Sequence, residues 1–129
     1  MTNIVATIPK SRFRTYELAE RTLRRCDGVT DWGGEEGSEW LWFVRMMRKP
    51  RKDLTDSVCY LIYDGRVRGY FHIVSSTPAQ EWIEKGYLLE DKASTHVVVL
   101  ANWVSLPQAE QLEMTGFQGW RYTHLSPLT

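Results

Sequence analysis

Asp64-Gly65 constrains the fold more than any other pair in the chain. It lies between two apolar runs inside residues 57–75. A two-residue type I′ turn needs positive φ at both central positions, which Asp tolerates and Gly accepts freely. The pair therefore predicts a β-hairpin. A two-residue loop would oppose Tyr63 to Arg66, Ile62 to Val67, Tyr60 to Gly69 and Val58 to Phe71. One face would carry Val58, Tyr60, Ile62, Val67, Phe71 and Ile73, and reads as core. The other would carry Cys59, Leu61, Tyr63, Arg66, Arg68, Tyr70 and His72, half aromatic and half cationic, and reads as a partly wet outer surface or part of a binding face.

The remaining elements follow from periodicity and punctuation. Residues 3–8 read as a strand stopped by Pro9. Tyr16, Ala19, Leu23 and Cys26 recur at helical spacing, and Asp27-Gly28 ends that helix. Residues 28–38 hold four glycines around a solitary Trp32 and read as a loop. Residues 39–46 form a second strand, with Trp40, Trp42 and Val44 on one face by period two. Thr77-Pro78-Ala79-Gln80 has the form of a capping box with Pro at the first helical position, predicting a short helix from Pro78 to about Lys85, with Gly86 as its stop. Residues 97–103 (VVVLANW) are a continuous apolar run, the pattern of a strand buried on both faces, in which Asn102 needs partners. Ser105-Leu106-Pro107-Gln108 repeats the capping pattern and predicts another short helix to about Glu113. Residues 117–122 read as a closing strand. The order is β-α-β-β-β-α-β-α-β, with no obvious parallel βαβ unit. It predicts one α+β domain over residues 1–129: a small, strongly bent sheet or barrel with short peripheral helices.

Net charge is zero, which argues against indiscriminate coating of nucleic acid. The distribution is uneven. Residues 1–26 hold six cations against two anions, residues 27–44 hold five acids and no base, and residues 45–75 hold seven cations against three anions. No leader pattern and no membrane-length apolar run is present, so a cytoplasmic chain is expected. Cys26 and Cys59 fall in no CxxC spacing and read as small core residues.

The hairpin VCYLIYDGRVRGYFHI, the run HVVVLANWVSL and the terminal FQGWRY resemble PUA-like domains, the superfamily that includes ASCH and EVE domains. The resemblance covers about residues 40–122. It implies a small β-barrel with flanking helices that holds RNA, DNA or a single modified base. ASCH domains typically show G-x-K-x-x-E-x-R at the second strand, whose Lys and Glu the amidohydrolase members use chemically. Here the region reads GGEEGSEWLWFVRM: Glu39 and Arg45 are present at a different spacing, and no Lys precedes them. The resemblance therefore implies binding rather than catalysis.

The residues point the same way. Arg45, Arg48, Lys49, Arg51 and Lys52 crowd the link after the second strand, as phosphate contacts would require. Trp32, Trp40 and Tyr70 are candidates for base stacking. Gln118 and Arg121 can each make paired hydrogen bonds to a base edge, with the Tyr122 phenol beside them. RNA or DNA, single-stranded or carrying a modified base, is the expected partner. No catalytic residue, cofactor or metal is predicted: His72, His96 and His124 lack ligand spacing, and there is no GxSxG, P-loop or GxGxxG. The rival readings are a modified-nucleoside hydrolase on the same scaffold, with a base from Glu35, Glu36 or Glu39, and a small regulatory module that docks a protein.

Overall fold

Asp64 and Gly65 both take positive φ, 50° and 76°, in the computed structural model, which describes residues 2–25, 42–54, 56–84 and 95–127. The turn joins β3 (Val58–Tyr63) to β4 (Arg66–Pro78). The other elements are β1 (Asn3–Thr7), α1 (Tyr16–Arg25), β2 (Trp42–Met46), α2 (Ala79–Glu84), β5 (His96–Ser105) and β6 (Trp120–Thr123). They form a mixed α+β fold around one curled six-stranded sheet of order β2-β5-β4-β3-β1-β6. All pairings are antiparallel except β1 with β3. That parallel pair is one the order of elements did not make obvious: the chain leaves β1, builds α1 and β2, and returns beside β1 only at β3.

The hairpin register holds for its first two pairs, Tyr63 with Arg66 and Ile62 with Val67, and then slips. Leu61 pairs with Gly69 and Tyr60 with Tyr70, so Arg68 is an extra residue on β4. One inserted residue reverses the phase of everything beyond it. Phe71 and Ile73 thereby join Cys59, Leu61 and Tyr63 in the inner core, while Tyr70 joins Val58, Tyr60 and Ile62 on the opposite face. Both faces of the hairpin thus carry packed clusters, in place of one core face and one face that was expected to be partly wet or part of a binding face. Arg68 itself spans the core edge, its guanidinium 4.5 Å from the Tyr16 ring and its Nε–H donating to the Tyr63 carbonyl at 3.0 Å.

Gly69 makes the slip possible. A Cβ there would stand 2.3 Å from the Val104 carbonyl oxygen and 2.6 Å from the Trp103 ring, so only glycine lets β5 and its indole lie this close. Gly69→Ala should therefore lose roughly 1–3 kcal/mol in urea unfolding. A loss below about 0.5 kcal/mol would show that the strands part easily here.

β5 is buried from His96 to Ala101 because both its faces are covered. Val98 and Leu100 enter the inner core, while Val97, Val99 and Ala101 pack under Ala79 and Trp82 of α2. Asn102 corrects its expectation: it is exposed, at φ 62°, where β5 shifts register against β4. α1 begins after Thr15, whose hydroxyl accepts from the Leu18 N–H at 3.3 Å, and buries Ala19 and Leu23. The helix expected from Ser105 is a single 3-10 turn, Gln108–Glu110. Two competing demands explain this. The Ser105 hydroxyl donates to Glu20 and accepts from the Trp103 indole rather than capping a helix. Residues 112–114 bond to the hairpin tip, through Val67 N–H to the Leu112 carbonyl and Met114 N–H to the Gly65 carbonyl.

Candidate nucleic-acid interface

β2 and β6 are opposite edges of the sheet order, yet their residues meet. Trp42, Val44 and Met46 of β2 share one core cluster with Trp120 and Tyr122 of β6, so the curl turns both edges inward. The link leaving β2 is tied to β6: the Lys52 N–H donates to the Tyr122 hydroxyl at 3.2 Å, and the Lys52 ammonium lies 5.3 Å from that ring's centre.

Between link and strand is a cleft of about 750 Å³, lined by Arg45, Arg48, Lys49 and Arg51 on one side and Gln118, Trp120 and Tyr122 on the other. Among the described residues no carboxylate lines it. All four cations are exposed, and none is in an ion pair among the described residues. Four cations within seven residues raise a positive potential that a concave wall focuses. Trp120 and Tyr122 are half-buried and meet edge to face, with centroids 5.0 Å apart, so they stand fixed rather than free to rotate.

Of the residues the sequence singles out, the structure brings six together here: Arg45, Arg48, Lys49, Arg51, Gln118 and Tyr122. Lys52 stands at the rim, and lines a smaller neighbouring cleft of about 320 Å³. Arg121 is placed elsewhere. Alternation in β6 turns it away from Trp120 and Tyr122, and its guanidinium lies 4.1 Å over the Phe117 ring. Tyr70 is across the sheet, 5.5 Å from Tyr60, because of the slip at Arg68. Trp32 and Trp40 lie outside the described residues, as do Glu35, Glu36 and Glu39. Sequence reasoning missed Trp120 and undervalued Tyr122. Their signal was period two in FQGWRY, which places Trp120 with Tyr122 and separates both from Arg121.

Behind the basic link, His96 is buried, with its Nε2 2.7 Å from the Ser76 hydroxyl. Burial, with the Lys49 charge second, pushes its pKa below the usual histidine range. A histidine held neutral in the fold but free to protonate when unfolded stabilises the protein above about pH 6.5, and that stability is lost as the pH falls from there through its folded pKa. The melting temperature should therefore drop by a few degrees between pH 7.5 and 5.5, and the drop should shrink in His96→Gln. An equal drop in both proteins would place the effect elsewhere.

Among the described residues no helix is long and apolar enough to cross a membrane. Compared with known proteins, the chain matches no family model, no curated protein and no solved structure.

Proposed function

We propose that this protein binds nucleic acid in the cleft between the basic link and β6, and that it recognises an unpaired base. Arg45, Arg48, Lys49 and Arg51 take the phosphates, Trp120 and Tyr122 support the base, and Gln118 reads its edge. The observation that carries this reading is the cleft: four cations face an ordered aromatic pair, and among the described residues none of the four is in an ion pair and no carboxylate lines the cleft. A base inside a duplex has both faces covered by its neighbours, so an aromatic wall suits a single strand or an extruded base. The curled sheet and the PUA-like resemblance of the sequence agree with a base-holding role. A modified base remains within this reading, since a pocket that stacks one base accepts substituents at its edge.

Fluorescence anisotropy with labelled single- and double-stranded RNA and DNA, repeated over a range of salt, tests it. Single strands should bind more tightly than duplexes of the same sequence. With four phosphates neutralised, log K should fall with log salt at a slope of about −3. No binding of any form at low salt would contradict the proposal and return the protein-docking reading.

A further inference from the structure

Across the sheet from the basic cleft, β3, β4 and residues 104–127 surround a second cleft of about 520 Å³. Val67, Val104, Leu106 and Leu112 contribute to its apolar walls, and among the described residues no lysine or arginine lines it. Tyr60 and Tyr70 also line it, their rings 5.5 Å apart and tilted by 59°. Five tyrosines are described, and three of them have hydroxyl partners: Tyr16 donates to Glu20, Tyr63 donates to the Phe13 carbonyl, and Tyr122 accepts from Lys52. The other two, Tyr60 and Tyr70, make no hydroxyl hydrogen bond among the described residues, and they share this cleft. Tyr60 is only 4% exposed. The residue is buried as a whole, but its hydroxyl oxygen stays open to the cleft, where it is free to donate to a ligand.

We propose that this cleft is a separate binding site for a small neutral molecule with a flat apolar body and one carbonyl-type acceptor. The acceptor meets the Tyr60 and Tyr70 hydroxyls, and the body lies on Val67, Val104 and Leu112. Pockets for such ligands have this make-up, mainly apolar walls with a few convergent polar groups. Burial, with the neighbouring Tyr70 second, pushes the Tyr60 pKa up to about 12, so its hydroxyl is a donor at neutral pH. Anionic ligands are disfavoured, because among the described residues Glu110 is the charged group of the lining and no cation balances it. This site is independent of the nucleic-acid cleft, and its ligand has the opposite chemistry.

The probe is 6-propionyl-2-(dimethylamino)naphthalene, a neutral aromatic ketone whose emission moves to the blue when it leaves water. Titrated into the full chain, it should give saturable, one-to-one, blue-shifted binding. Tyr60→Phe should weaken that binding roughly threefold to tenfold through loss of one hydrogen bond. Val104→Trp, at a partly exposed position on the rim, should fill the cleft and abolish it. Circular dichroism on both variants checks that the fold is kept, and Arg48→Ala/Lys49→Ala/Arg51→Ala should bind the probe as wild type does. The absence of saturable binding up to the probe's solubility, or binding that Val104→Trp leaves intact, would overturn the site. Binding removed by Val104→Trp but unchanged in Tyr60→Phe would overturn the role of the phenols.

Discussion

Replacing Arg48, Lys49 and Arg51 together by alanine is expected to lower affinity for single-stranded nucleic acid on the order of a hundredfold at about 0.1 M salt. Each phosphate contact on a single strand adds about 0.7 to the salt slope, worth roughly fivefold per decade of salt below 1 M. Three contacts then multiply to about a hundredfold, and the slope becomes shallower by about 2. All three side chains are exposed and without ion pairs among the described residues, so the fold should be unaffected. The check is the same anisotropy titration with circular dichroism beside it. A slope unchanged in the triple variant would show that the link does not touch phosphate.

Phe71→Ala should be the most damaging single core change. Phe71 is fully buried, packs edge to face on Trp103 at 5.0 Å, and lies nearly parallel to Trp42 at 6.5 Å. It therefore links β2, β4 and β5 through one ring. Truncation removes that burial and leaves a cavity that two large indoles cannot easily close, a loss of about 3–5 kcal/mol. Domains of this kind have only about 5–15 kcal/mol in total, so urea unfolding should shift far toward low denaturant. A loss under about 1.5 kcal/mol would mean that the inner core repacks around the gap.

The hairpin shows what the sequence could reveal and what it could not. Asp64-Gly65 announces the turn because its chemistry is local: two residues, two positive φ values. The bulge at Arg68 is invisible in the same stretch, since its cause is the Trp103 indole pressed against Gly69 from another strand. The short helix α2 was legible, one residue early, from Thr77-Pro78-Ala79-Gln80, since Pro78 closes β4 instead; the buried strand β5 was legible from the run of valines, because a continuous apolar strand requires cover on both faces. The parallel pairing of β1 with β3 was not, because it depends on where the chain goes across some fifty intervening residues.

The candidate site divides along the same line. Its cations form a run that any reading of charge would find, and Gln118 was found for its amide. What places Gln118 opposite that run is the curl of the sheet, and the curl depends on all six strands. Arg121 and Tyr70 look suited to bases by residue type alone. Alternation in β6 and the slipped register in β4 turn them to other surfaces. Trp120 was passed over for the converse reason: it looks like core until Tyr122 and the link are seen around it.

The central claim is that the cleft between the basic link and β6 is where nucleic acid binds. Two-dimensional 1H–15N spectra of the uniformly labelled protein, with indole and side-chain amide signals assigned by single substitution, test it most directly. On titration with a short single-stranded oligonucleotide, the Trp120 indole and the Gln118 amide should shift together and saturate, while the Trp82 indole, buried under α2 and bonded to Thr77, should stay in place. Shifts that spare Trp120 and Gln118 while the oligonucleotide binds would contradict the account and move the site to another surface.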